Sequence, residues 1–308
     1  MVADLLIFIV AMAGVVQGAR WSTKFAAALA ASFRISKYAV GLIVIAFISI
    51  LPETLIGINA AIAGVPEFGL GTLFGSNVAD LTLVFALVVW FADRGLRIES
   101  SIVKNFWVYS LFLLLPLVLG LNGHFSRLEG VALVVAGLAF YLLSLRHDKI
   151  ETVVVTHPGG RWKNFLGLLL GMSFLLVGAH FTVEAGTAIA GSLAVSPILI
   201  GLLVVGLGTT MPELFFSMGA VRRHDDSLAV GDILGTVLAD ATIVVGILAL
   251  ISPFNFPVKI IYITGAFMVA ASVLLFYFMR SQRILSRKEA VLLFLFWVLF
   301  VVVEFSFA

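Results

Sequence analysis

Four acidic residues stand inside long apolar stretches of a 308-residue chain: Glu53, Asp80, Glu213 and Asp240. An ionisable group placed inside a span is costly, and marks a functional site by default. No Lys or Arg stands at comparable depth beside them, so the four require cations or protons. Oxygen-bearing residues flank them at helical spacing. Ala46, Ser49 and Glu53 fall at i, i+3 and i+7, one face of a helix, and Gly206, Thr209 and Glu213 repeat the pattern. Ser76 precedes Asp80 by four residues, and Thr236 precedes Asp240 by four. Pro52 and Pro212 stand directly before the two glutamates. A proline has no N–H to donate, so the carbonyls of Ile48 and Gly208 are expected to be free at a break in each helix. Carboxylates, hydroxyls and freed carbonyls together make an all-oxygen site, which suits a hard cation such as Ca²⁺. Zero Cys and the absence of a buried His argue against zinc or copper.

The elements that must hold these residues follow from composition. The chain is 62% hydrophobic and only 12% charged, where a soluble chain has roughly a quarter of its residues charged. That excludes an ordinary cytosolic domain, a disordered protein and a nucleic-acid binder. The pI of about 9.0 rests on a net charge of only +2 and implies no anionic partner. Zero Cys also excludes disulfides and thiol nucleophiles. A membrane-crossing helix needs about 20 mostly apolar residues. Ten stretches qualify: 4–31, 38–62, 69–91, 104–121, 127–145, 164–190, 196–218, 228–252, 259–279 and 288–306. The expected class is an all-α integral membrane protein with ten transmembrane helices. Asp4 stands where a signal peptide would carry a basic residue, so the first stretch is read as a retained span. Of 19 Lys and Arg, fifteen fall on one side of these spans, Arg127 and Lys259 on the other, and Arg20 and Lys24 within the first span. By the positive-inside rule both termini lie outside the cytoplasm, in a plasma or bacterial inner membrane.

The chain also repeats itself at a constant offset of 160 residues. Gly18-Ala19 meets Gly178-Ala179, Gly41-Leu42 meets Gly201-Leu202, Pro52-Glu53 meets Pro212-Glu213, and Ala79-Asp80 meets Ala239-Asp240. Five spans per half is an odd number, so the second half enters the membrane from the opposite side. The expected architecture is two inverted five-helix repeats, 1–145 and 164–308, joined by a cytoplasmic linker at 146–163, with the site at the repeat interface. Simpler roles remain open for single features. A proline kink alone is usually structural, and Gly71/Gly75 and Gly231/Gly235 read as close helix contacts. Ser49, Ser76, Thr209, Thr210 and Thr236 could each bond back to their own helix. Glu184 and Asp232 read as facing loops or water, and Asn77 as a polar bridge between helices. Four buried acids at matching positions have no such simple explanation.

These residues carry a resemblance. GLIVIAFISILPETLIGINAAIAG (41–64) with GTLFGSNVADLTLV (71–84), and IGLLVVGLGTTMPELFFSMGAV (200–221) with GDILGTVLADATIV (231–244), resemble the two α-repeats of the sodium/calcium exchanger family, prokaryotic type, within the cation/calcium antiporter superfamily. The family patterns are G-T-S-L-P-E and G-S-N-x-x-N/D. By this resemblance Glu53 and Glu213 are central Ca²⁺ ligands, completed by Ser49 and Thr209. Ala46 and Gly206 offer carbonyls to flanking Na⁺ sites, Ser76, Thr210 and Thr236 offer hydroxyls, and Asp80 and Asp240 sit at the middle of the cluster. Three positions depart from the family: Ile50 replaces a serine, Asp80 replaces an asparagine, and Thr236 replaces a serine.

The expected function is therefore a secondary antiporter exchanging Ca²⁺ for Na⁺ by alternating access, with no cofactor and no obligate protein partner. One Ca²⁺ neutralises two of four carboxylates, so at least one of Asp80 and Asp240 is expected to carry a proton when calcium is bound. The first and sixth spans, rich in small residues, are expected to slide as a pair. An H⁺/Ca²⁺ exchanger, or one for another divalent ion, is the alternative on the same scaffold, favoured by Ile50 and Asp80. An intramembrane aspartyl protease with Asp80 and Asp240 as its dyad is a remote alternative. It would use Ala229-Val230-Gly231-Asp232 as its signature and leaves the doubled Pro-Glu without a role.

Overall fold

The structure, a computed structural model, describes residues 2–32, 50–92, 94–98, 106–145, 160–222, 224 and 226–307. Long apolar runs form the helices α1 (Val2–Ser32), α2 (Leu51–Ile62), α3 (Pro66–Phe91), α4 (Phe106–Leu119), α5 (Arg127–Leu145), α6 (Arg161–Leu193), α7 (Pro197–Arg222), α8 (226–251), α9 (261–282) and α10 (Arg287–Phe307). Seven of them, α1, α3 and α6 to α10, are long and apolar enough to cross a membrane, and α2 is a shorter apolar helix. Of the expected second span only 50–62 is described, so its first half, with Ala46 and Ser49, lies outside the described residues.

Helix boundaries recur at the offset of 160. α2 begins at Leu51 and α7 resumes at Met211 after a break, and the π turns Asp80–Val84 in α3 and Asp240–Val244 in α8 coincide under the same shift. Local chemistry repeats with them. Ser126 and Ser286 cap α5 and α10, and Glu129 and Glu289 each accept bonds at 2.7 Å from the N–H of their serine. These are capping boxes, two N-terminal donors satisfied reciprocally.

The enclosed centre is α3 and α8, with 94% and 83% of their apolar windows buried, against 28% for α1 and 22% for α10. α1 packs on α6 in opposite directions, since a Cβ on Gly18 would approach Gly171 and Leu175, while one on Gly178 would approach Ala11 and Val15. α3 meets α7 more closely still. A Cβ at Gly75 would stand 2.0 Å from the Leu202 carbonyl oxygen, so only glycine permits this approach. The partners that the offset assigns to Gly231 and Gly235 fall within 33–49, outside the described residues.

Two short antiparallel ribbons close the ends. β1 (Leu96–Arg97), after α3, pairs with β4 (Ile284–Leu285), after α9. β2 (His124–Phe125), before α5, pairs with β3 (Phe254–Asn255), after α8. Both ribbons join a strand from the first 145 residues to one from the last 145.

Candidate cation-binding site

The break in α7 falls where Pro212 requires it. Thr210, with φ −74° and ψ −7°, separates Gly206–Thr209 from Met211–Arg222. Ile50, with φ −81° and ψ −2°, stands at the corresponding start of α2. Glu53 and Glu213 stand in the first turns of α2 and of the second part of α7. Asp80 and Asp240 each open a π turn, a wider turn that recurs at functional sites. In both π turns a threonine satisfies a carbonyl one turn back. Thr82 donates to Val78, and Thr242 donates to Leu238.

All four carboxylates are buried, at 0–1% exposure. Asp80 lies within electrostatic reach of Glu53, Glu213 of Glu53 and Asp80, and Asp240 of Glu53 and Asp80. The Thr209 hydroxyl lies beside Glu53. Both oxygens of Glu213 and of Asp240, Oε2 of Glu53 and Oδ1 of Asp80 have no hydrogen-bond partner among the described residues. Buried acceptors without donors are the environment a cation would satisfy. Each acid comes from a different helix, and among the described residues no three acidic or histidine side chains converge enough to chelate one ion alone. A cation here would draw on carboxylates together with neutral oxygens.

Those neutral oxygens are present. Ser76 Oγ donates to Leu73 at 3.0 Å, Thr209 Oγ1 to Gly206 at 3.1 Å and Thr210 Oγ1 to Leu207 at 2.8 Å. These hydroxyls do bond back to their own helices. With its proton directed at the helix, each oxygen still has lone pairs for an ion. Thr236 Oγ1 is buried without a partner among the described residues. Asp232 is half-buried and within electrostatic reach of Asp80 and Glu213. Glu184 does face outward, 3.9 Å from His180, beside a cavity of about 320 Å³ lined in part by Asn59 and Thr187.

Two residues that the sequence reading passed over frame the Asp240 side. Tyr109 on α4 donates to the Leu234 carbonyl at 3.1 Å, and Tyr141 on α5 to the Gly235 carbonyl at 2.7 Å. Both rings lie within electrostatic reach of Asp240. Their signal was a lone phenol in an otherwise apolar span, where a buried hydroxyl must find an acceptor. Beyond the spans, Arg94 grips Asp226 with two bonds of 2.7 Å, and the Arg97 N–H adds a third at 2.8 Å. Burial alone would raise the Asp226 carboxyl, but these donors outweigh it and hold it below the usual carboxylate range.

A predominantly helical membrane protein with a buried, oxygen-only carboxylate centre is the architecture of a cation transporter rather than of a soluble enzyme. The chain belongs to the sodium/calcium exchanger protein family, whose model matches residues 4–146 and 163–306. It is 28% identical to an uncharacterized membrane protein of Methanocaldococcus jannaschii over 279 residues, 89% of each chain. It is 24% identical to the sodium/calcium exchanger MaX1 of Methanosarcina acetivorans, covering 98% of each. Among solved structures, the sodium-calcium exchanger NCX_Mj superposes with a TM-score of 0.67 at 23% identity, covering 97% of both chains. The H⁺/Ca²⁺ exchanger CAX superposes with a TM-score of 0.77 at 18% identity, covering 98% of this chain and 87% of that one. At these identities the two structures speak for the fold. Family membership makes the chain a membrane transporter of the cation/calcium exchanger type and gives the protease reading no support.

Proposed function

We propose that this chain is a secondary antiporter that exchanges Ca²⁺ for Na⁺ across a cell membrane by alternating access. The observation that carries the reading is the set of four buried carboxylates, one each on α2, α3, α7 and α8, whose charged neighbours include one another. Glu53 and Glu213 are the central Ca²⁺ ligands. Thr209 and the Ser49 position complete that site, and the Ala46 and Gly206 carbonyls with Ser76, Thr210 and Thr236 serve flanking monovalent ions. Asp80 and Asp240 balance charge between them. Four bare carboxylates in a closed dry cleft cost too much to cross empty, so only loaded forms switch and exchange is enforced.

In this reading the chain has ten spans, arranged as two inverted halves, 1–145 and 164–308, with both termini extracytoplasmic and 146–163 as a cytoplasmic linker. The recurrence of element boundaries at 160 residues and the opposed directions of α1 and α6 support the inversion. The skewed Lys and Arg distribution supports the orientation.

A second reading, H⁺/Ca²⁺ exchange on the same scaffold, is favoured by Asp80 and Ile50, which add a titratable group and remove a hydroxyl from the monovalent sites. Radiolabelled Ca²⁺ uptake by purified protein in proteoliposomes separates the two. Uptake that needs an outward Na⁺ gradient and is abolished in Glu213→Ala is the expected result. Uptake driven by a pH gradient without Na⁺ would establish the second reading, and no uptake under either gradient would overturn both.

A further inference from the structure

The four-carboxylate cluster does not account for every buried oxygen along α3. Asn77 is fully buried. Its Nδ2 donates to Met268 Sδ on α9 at 3.7 Å, while its Oδ1 has no partner among the described residues. That contact identifies the face of α9 turned toward α3. Ser272 lies one turn along the same face, at i+4 from Met268. It is 1% exposed, and its Oγ also has no partner among the described residues. On α3, Asp80 is likewise one turn on from Asn77, with Oδ1 unpartnered. α3 and α9 run in the same direction, because the strands that follow them, β1 and β4, pair at one end of the molecule. The step from Asn77 to Asp80 therefore runs the same way as the step from Met268 to Ser272, which places Asp80 and Ser272 on the same side of the Asn77–Met268 contact.

The chemistry of this set is unbalanced. An amide carbonyl, a carboxylate oxygen and a hydroxyl supply acceptors, and among those three atoms only the serine brings a proton to donate. Acceptors buried in excess of donors favour a cation. One carboxylate with two neutral oxygens suits a singly charged ion better than Ca²⁺, which takes 6–8 oxygen ligands and usually several carboxylates. The offset of 160 places Val237 opposite Asn77 in sequence, Phe112 opposite Ser272 and Val108 opposite Met268. All three are apolar, so the feature belongs to the α3 side alone.

We infer that Asn77, Asp80 and Ser272 form a side pocket that binds a monovalent cation beside the carboxylate cluster, with Asn77 and Ser272 as ligands additional to those named above. The inference rests on the antiporter reading and takes Na⁺ as the ion. Its test measures two things in proteoliposomes: the Na⁺ concentration for half-maximal Na⁺-driven Ca²⁺ uptake, and Ca²⁺/Ca²⁺ self-exchange, which needs no Na⁺. Ser272→Ala and Asn77→Leu are expected to raise the half-maximal Na⁺ concentration about fivefold or more, roughly one lost oxygen ligand, and to keep self-exchange within about twofold. Ser272→Thr, which retains the hydroxyl, is expected to restore the wild-type Na⁺ dependence. An unchanged Na⁺ dependence in both variants overturns the side pocket, as does a parallel loss of self-exchange. If the wild type responds to a pH gradient and not to Na⁺, the same variants are read against external pH. A shift there keeps the pocket and makes its ion the proton, and no shift removes it. A wild type without Ca²⁺ exchange of any kind sinks the antiporter reading itself, an outcome distinct from failure of the pocket.

Discussion

Glu53 and Glu213 differ from ordinary core residues because they are buried carboxylates of which one or both oxygens lack donors among the described residues. Glu53→Gln and Glu213→Gln keep shape and remove charge. Each is expected to cut Ca²⁺ uptake by about 100-fold or more, the equivalent of nearly 3 kcal/mol of ion binding, as read from initial rates at fixed Ca²⁺. Thr209→Val should cost less, about tenfold, because it removes one neutral oxygen beside Glu53. Asp80→Asn is expected to flatten the dependence of uptake on pH, since one of the titratable carboxylates is gone, and an unchanged pH profile would remove Asp80 from proton handling. The four acids were legible in the sequence because each is an anomaly in apolar surroundings. Tyr109, Tyr141 and Ser272 were not. A single hydroxyl in a long span has many harmless fates, and only packing decides which helix it faces.

At the scale of the element, the helix boundaries among the described residues were legible within a few residues, because hydropathy marks them directly. The π turns at Asp80 and Asp240 were not, since a π turn requires no residue type of its own, and the threonine in each, whose hydroxyl serves a carbonyl four residues back, is an ordinary residue in a span. Thr242→Val keeps the shape and strips that donor. It is expected to lower stability in detergent by about 1–3 kcal/mol, the cost of a buried carbonyl left unsatisfied, measured by thermal denaturation. Gly75→Ala is a stronger test of the α3–α7 contact. A Cβ 2.0 Å from a backbone oxygen cannot be accommodated by a side-chain shift. The variant is expected to lose at least about 1–3 kcal/mol and to lose transport.

For the molecule as a whole, the offset of 160 was the most informative signal, because it bound all the separate motifs into one architecture before any helix was placed. It missed what the two halves do not share. Arg94 and Asp226 correspond under the offset to Phe254 and Pro66, so one end of the molecule has an ion pair where the other has aromatic packing among Phe125, Phe254 and Phe256. Because the folded Asp226 carboxyl lies below its ordinary value, the pair contributes stability above the unfolded carboxylate pKa, about 3.9, and loses it as pH falls through the lower folded value. Asp226→Asn should therefore melt earlier than wild type at neutral pH, and the gap should narrow under strongly acidic conditions. The absence of Cys permits a direct check of topology as well. A single Cys placed at Asn255, exposed in the connection between α8 and α9, should react with an impermeant maleimide added outside intact cells, and protection there would reverse the orientation.

The two ribbons have a consequence for how the molecule is made. Each joins an early strand to a late one, β1 with β4 and β2 with β3. A nascent chain that has emerged only as far as α5 thus carries two open strand edges and two of its four acids with no counterpart. It cannot finish in stages, one half after the other, as two independent domains would. Biogenesis must hold the early helices in a loosely committed state until α8, α9 and the strands that follow them arrive. Co-expression of 1–159 and 160–308 as separate polypeptides should then yield a functional protein only when both are present, with either fragment alone left as prey for membrane proteases.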